Sequence, residues 1–128
     1  MFHHMGIVVA DFKRSQALYE SALAPLGIQC TEHEKHWAVF TQEPGKPFLW
    51  LGSVRPTFWA ATHQAGQSPI HLAFAAPDRA AVDAFNAAAL AHGASDNGTP
   101  GPRKSWTTFY SAFVIDLDGN NIEATVQE

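Results

Sequence analysis

Two histidines and one glutamate form the chemically suggestive set in this chain. His4 stands seven residues before Asp11, and His71 stands seven residues before Asp78, so both pairs recur at an offset of 67 residues. Each His opens an apolar segment and each Asp precedes a helical pattern, which gives the two imidazoles equivalent places in a repeated unit. The third member is Glu123, in Asn120-Asn121-Ile122-Glu123-Ala124. Strand alternation sets Ile122 and Ala124 on one face and Glu123 and Thr125 on the other. Two imidazoles and a carboxylate suit a divalent first-row metal and leave positions open for water or substrate. Metal coordination also offsets the cost of placing a carboxylate inside a curled sheet. An isolated His is more often solvated or satisfied by hydrogen bonds. The repeated register of His4 and His71, with Glu123 beside them, is the argument for expecting His4, His71 and Glu123 as metal ligands.

The elements that must position these residues follow from the apolar periodicity. Residues 2–10 read as a strand, and Asp11 is an N-cap for a helix over residues 12–24 with Leu18, Tyr19, Ala22 and Leu23 toward the core. Three short strands are expected at residues 28–33, 36–41 and 48–53, and a connector with Pro56, Phe58, Trp59 and Gly66 at residues 54–68. A strand from residue 69 to 75 opens the second unit, and Asp78 caps a helix to about Ala91. Residues 94–97 offer only a faint strand, and Asp96 to Pro102 read as a turn-rich surface loop. Strands at residues 107–115 and 121–126 are joined by Asp116-Leu117-Asp118-Gly119-Asn120, a hairpin signal. The expected fold is α+β: two paired βαβββ modules in one domain, with curled mixed sheets around a central cleft. Module one covers about residues 1–53, the connector about 54–68 and module two about 69–128.

Composition narrows the partners. The chain has 128 residues, the size of one domain, with 46% hydrophobic residues and a formal net charge of −4. A net negative chain lacks the clustered Lys and Arg that phosphate contacts require, so nucleic acid is not an expected partner. No apolar run approaches the roughly 20 residues of a membrane span, and the N-terminal segment shows no signal-peptide pattern. A single Cys, Cys30, excludes an internal disulfide framework and favours a reducing, cytoplasmic setting. An exposed sheet edge would permit a homodimer.

The segments His4-Met5-Gly6-Ile7-Val8-Val9-Ala10-Asp11, Ser15 to Tyr19, Leu23-Ala24-Pro25-Leu26-Gly27, His71-Leu72-Ala73-Phe74 and Asp116 to Glu123 together resemble the vicinal oxygen chelate superfamily. That superfamily contains glyoxalase I, bleomycin- and fosfomycin-resistance proteins and type I extradiol dioxygenases. The resemblance spans nearly the whole chain and is nearest to small glyoxalase-like proteins. It implies one divalent ion (Zn, Ni, Mn or Fe) on His4, His71 and Glu123, polarising neighbouring oxygens of a small substrate. Glyoxalase I carries a fourth ligand, a Glu, where Leu49 or Trp50 stands here. Extradiol dioxygenases carry a Tyr where Phe113 stands. Lyase or isomerase chemistry is therefore the expectation, with ring-cleaving dioxygenase activity or metal-independent drug binding as the alternatives.

The remaining candidates are assigned from residue type. Glu123 and Tyr110 are the candidate catalytic groups, although Tyr110 lies three residues from Phe113 and so faces the other way on a strand. Trp50, Arg103 and Phe113 are the candidate substrate contacts, since Arg103 suits an anionic group and the rings suit an apolar wall. Trp59, Trp106 and Phe109 are further aromatics that could line a cleft, with core packing the default. The other histidines have simpler roles: His3 faces away from His4, His33 and His36 flank a turn, His63 sits in the connector, and His92 serves the helix C-terminus.

Overall fold

A computed structural model describes residues 1–104 and 108–128. The first module runs β1 (His4–Val8), α1 (Phe12–Leu23), a 3-10 turn at Ala24–Leu26, β2 (Gln29–His33), β3 (Trp37–Thr41) and β4 (Phe48–Gly52). The second runs β5 (His71–Ala75), α2 (Arg79–Ala91), β6 (Ser95–Lys104), β7 (Thr108–Ile115) and β8 (Asn121–Gln127). Each module forms an open four-stranded mixed sheet, in the orders β1-β4-β3-β2 and β5-β8-β7-β6. The first strand of each module pairs parallel with its last, and the other pairings are antiparallel.

Local chemistry explains the helices. Asp11 accepts from the Arg14 backbone N–H at 3.2 Å and Asp78 accepts from Ala81 N–H at 2.8 Å, which satisfies donors the helix itself leaves free. Gly27, at φ 77°, closes the turn after α1 in a conformation costly for other residues. Leu18, Tyr19 and Leu23 of α1 and Val82, Phe85 and Ala89 of α2 are buried, and the two helices pack against each other between the modules. Complete burial of a side chain such as Leu23 or Phe85 contributes about 2–3 kcal/mol.

Alternation sorts the sheet faces. Ile122 and Ala124 of β8 are buried, as are Leu49 and Leu51 of β4. The alternate residues of the same strands, including Trp50 and Glu123, lie on the open faces and are only half-buried. The loop expected at residues 96–102 is instead the middle of β6. Pro100 and Pro102 lack an N–H, which an edge strand tolerates because one side needs no partner. Register shifts between Asp96 and Gly98 and between Gly98 and Gly101 absorb the irregularity. Trp106 and Thr107, expected as a cleft aromatic and a strand start, lie outside the described residues. The connector, residues 53–70, runs in turns and bends.

Two polar contacts join module one to the β7–β8 turn. The buried Tyr19 hydroxyl on α1 donates to Asp116 Oδ2 at 2.7 Å, and Ala10 N–H donates to Asp118 Oδ1 at 3.0 Å. Asp116 also accepts from the N–H groups of Asp118 and Asn120 and from Asn120 Nδ2, so the β7–β8 turn is organised around its carboxylate. Burial, then the Asp116 charge, hold the Tyr19 phenol well above its ordinary pKa. Burial raises the Asp118 carboxyl as well.

Candidate functional site

The parallel register of β5 and β8 sets His71 beside Asn121 and Ala73 beside Glu123. From those positions His71 Nε2 reaches to 3.2 Å of Glu123 Oε2. The Glu123 side chain keeps 13% of its exposure and the His71 side chain 51%, so the pair sits at the mouth of an open sheet face. His71 Nδ1 lies 3.1 Å from the Asn121 carbonyl oxygen and 3.1 Å from Asn121 Nδ2, and Asn97 Nδ2 donates to Asn121 Oδ1 at 3.1 Å. The ring's far nitrogen is thus anchored by the protein while its near nitrogen meets the carboxylate.

Phe113 and Arg103 share this face. Phe113 pairs with Glu123 across β7 and β8, and its ring stacks beside His71 at 6.1 Å. The Arg103 guanidinium lies over the Phe113 ring at 5.6 Å, with Nη2 donating to the Thr99 carbonyl at 2.6 Å and Nη1 to the Pro102 carbonyl at 3.3 Å. Gly98 makes this packing feasible. A Cβ there would stand 3.0 Å from the Phe113 ring and 3.3 Å from Arg103 Nη2. Of the sequence candidates, His71, Glu123, Phe113 and Arg103 therefore come together.

The other candidates lie elsewhere. His4 is on the open face of the first sheet, stacked on Phe48 with centroids 4.8 Å apart and planes 6° apart. Among the described residues, no group of three or more His, Cys, Asp and Glu gathers in a metal-binding arrangement. Trp50 shares the His4 face, its ring lying across Gly52 and Gly6. A Cβ on Gly52 would approach the Trp50 ring to 2.5 Å and the His36 carbonyl oxygen to 2.9 Å, so only glycine fits under that ring. Tyr110 turns to the helix side of β7, where its hydroxyl donates to Asp83 at 2.8 Å and Arg79 covers its ring at 4.6 Å. That placement separates it from Glu123. The bond to Asp83 and burial raise its phenol pKa.

The donor chemistry of the His71–Glu123 pair fits a divalent cation: an imidazole nitrogen and a carboxylate oxygen face each other, with the imidazole oriented from behind. Within the one chain, His4 does not complete that set. Residue types had pointed past two further members of the site. Asn121 is detectable from its register beside His71, two residues before Glu123 on the same face. Asn97 was hidden by the loop-like composition of β6. His3 also departs from expectation. It precedes the first residue of β1, so strand alternation does not turn it away, and its Nδ1 meets His4 Nδ1 at 2.8 Å.

A separate cavity of about 340 Å³ lies between β1 and the connector, lined by Gly6, Val8, Phe58, Trp59, His63 and Gln64 among others. In it, His63 Nδ1 accepts from Ala60 N–H at 3.1 Å. His92 caps α2, with Nδ1 2.9 Å from the Ala88 carbonyl oxygen.

No family model matches the chain, and no curated protein matches it. Solved structures do. A glyoxalase/bleomycin resistance protein from Albidiferax ferrireducens T118 is 30% identical over 98% of both chains, with a TM-score of 0.80. A lactoylglutathione lyase from Agrobacterium tumefaciens, 18% identical over 98% of this chain and 92% of its own, superposes with a TM-score of 0.66. A glyoxalase/bleomycin resistance protein/dioxygenase family enzyme from Burkholderia phytofirmans PsJN is 17% identical, covers 97% and 96% of the two chains, and has a TM-score of 0.65. The last two similarities speak to the fold alone.

Proposed function

The chain belongs to the glyoxalase/bleomycin resistance family of the vicinal oxygen chelate superfamily, and from that premise we propose that it is a metal-dependent enzyme of lyase or isomerase type acting on a small molecule with two neighbouring oxygens. The observation that carries the reading is the His71–Glu123 pair, two donors 3.2 Å apart on an open face. In this reading they hold one zinc, nickel, manganese or iron ion, which when bound supplies Lewis acidity to the substrate oxygens. Phe113 provides an apolar wall beside His71, and the Arg103 N–H groups not used by Thr99 and Pro102 receive an anionic or carbonyl group of the substrate. His4 of a second copy of the chain is the third donor. Two features support that assignment: His4 stands on an open sheet face, and β1 is an edge strand with Phe2 and Met5 exposed near it.

Isothermal titration of tag-free, chelator-treated protein with Zn²⁺, Ni²⁺, Mn²⁺ and Fe²⁺ tests this. At least one of these ions binds at micromolar or tighter affinity, and His71→Ala or Glu123→Gln weakens it by more than about a hundredfold, beyond the usual effect of an outer-shell change. His4→Ala weakens it too, and the loaded protein sediments as a dimer. No uptake by the unmutated chain, or unchanged affinity in His71→Ala, overturns the reading. A metal-independent binding protein is the second reading, favoured by the connector cavity, whose lining includes Phe58, Trp59 and Gln64 and no Asp, Glu, Lys or Arg. Tight binding of neutral aromatic compounds by chelator-treated protein, abolished in Trp59→Ala, would favour it.

A further inference from the structure

We propose that Asn121, its amide set by Asn97, is a positioning residue that selects which ring nitrogen of His71 carries the proton, and so holds down the affinity of the His71–Glu123 pair for a cation. The tautomer half of this stands on the hydrogen-bond geometry alone, and the affinity half rests on the metal reading above.

Nδ1 of His71 has two partners on one residue. The Asn121 backbone carbonyl, 3.1 Å away, can only accept, and the Asn121 side-chain NH₂, also 3.1 Å away, can only donate. Asn97 partners the other end of that amide. Its Nδ2 donates to Asn121 Oδ1 at 3.1 Å, which leaves the NH₂ end for His71. On the other side of the ring, Nε2 faces Glu123 Oε2, and an ionised carboxylate can only accept.

With no cation bound, one neutral tautomer meets two of these three constraints and leaves only the Asn121 carbonyl without a donor from the ring. The proton sits on Nε2 and is donated to Glu123, while Nδ1 accepts from the Asn121 NH₂. The opposite tautomer sets the Nε2 lone pair against the carboxylate and the Nδ1 proton against the NH₂, satisfying only the backbone carbonyl. A cation needs the Nε2 lone pair. On loading, the ring proton therefore moves to Nδ1 and is donated to the Asn121 carbonyl, and the side-chain amide loses its acceptor. The ring carries one proton in both states, so only its location changes. The backbone carbonyl serves the loaded state and the side-chain amide serves the empty one, which makes the amide a brake on loading worth one neutral hydrogen bond.

Imidazole ¹⁵N NMR at pH 8.5 on chelator-treated protein reads the tautomer directly, with the His71 signals assigned by their loss in His71→Gln. The unmutated protein gives predominantly the Nε2–H form, and Asn121→Ala moves the population toward Nδ1–H. Asn97→Ala, which frees the amide to turn, moves it the same way by less and serves as the second variant if Asn121→Ala fails to fold. Titration with Co²⁺ then gives about fivefold tighter binding for Asn121→Ala, the equivalent of one neutral hydrogen bond of about 1 kcal/mol. A purely structural role for Asn121 would weaken binding instead. An Nδ1–H ring in the metal-free protein, a tautomer ratio untouched by both variants, or weaker Co²⁺ binding in a folded Asn121→Ala overturns the proposal. If no cation binds the unmutated chain, the metal reading falls with it, and the affinity half of the proposal falls too, while the NMR result still decides the tautomer half.

Discussion

Replacing Tyr19 with Phe removes one hydroxyl from the joint between the modules, and its cost follows from what Asp116 retains. The Tyr19 hydroxyl donates to Asp116 Oδ2 at 2.7 Å from a side chain with 1% exposure. A hydrogen bond to a charged acceptor contributes about 1.5–3 kcal/mol net. Asp116 keeps three other donors, from Asp118 N–H, Asn120 N–H and Asn120 Nδ2, so its charge is not stranded and the lower half of that range applies. Tyr19→Phe therefore costs about 2 kcal/mol at pH 7, seen in urea denaturation, with a fall in Tm of roughly 6–8 °C for a domain of this size. The pH dependence separates this bond from general packing. Burial and the Asp116 charge raise the Tyr19 pKa, so the folded state holds the phenol proton more tightly than the unfolded chain does. That contribution is complete below the unfolded phenol pKa of about 10 and is lost as the pH rises toward the folded value. Each unit above 10 removes about 1.4 kcal/mol from the wild type and none of it from the Phe variant. The gap between the two stability curves therefore narrows as the pH rises above 10. A loss below about 0.5 kcal/mol at neutral pH, or a gap that stays constant from pH 8 to 11, refutes the reasoning.

Two further outcomes follow from the packing and the surface. Gly52→Ala drives a methyl into the Trp50 ring and the His36 carbonyl, costing about 1–3 kcal/mol in urea denaturation. Only part of that loss is recovered in a Trp50→Ala background, because the backbone carbonyl at 2.9 Å stays where it is. Glu128→Gln removes a carboxylate that its hydrogen bond to Arg79 holds below the usual range. The wild type has that contribution above the ordinary carboxylate pKa and loses it as the pH falls through the lowered one, so the denaturation midpoints of the two proteins converge below about pH 4.

The sequence shows what local chemistry decides. Asp11 and Asp78 mark the helix starts because a capping carboxylate works within three residues, whatever packs around it. Alternation correctly opposes Glu123 to Ile122 and Tyr110 to Phe113, since a strand's period does not depend on its partner. β6 was illegible for the opposite reason. Gly98, Pro100 and Pro102 have loop propensities, and only the free side of an edge strand, known once the strand order is known, accommodates them. Whether His4 and His71 meet was equally beyond local reading. Equivalent positions in a repeat state where each residue sits in its module, and α1 packing on α2 decides which faces of the modules turn toward each other.

The joint and the candidate site are one piece of covalent structure. Asp116 organises the turn that ends in Asn120, and Asn120 Oδ1 accepts from Ile70 N–H at 3.1 Å, one residue before His71. Asn121 N–H then donates to the Ile70 carbonyl at 2.9 Å, one step before the register that sets His71 beside Asn121 and brings Glu123 within reach. The bonds that Tyr19 and Ala10 of module one make to module two therefore converge on the turn that starts β8 and aligns β5. Two local anchors, the Asn120 side chain and the Ile70–Asn121 backbone bond, remain when Tyr19 loses its hydroxyl, because neither passes through α1. Damage at the joint should thus lower the stability of the domain while leaving the His71–Glu123 spacing intact. Damage to Asn120 should do the reverse of sparing the site, since it releases the N-terminal end of β5 on which His71 stands.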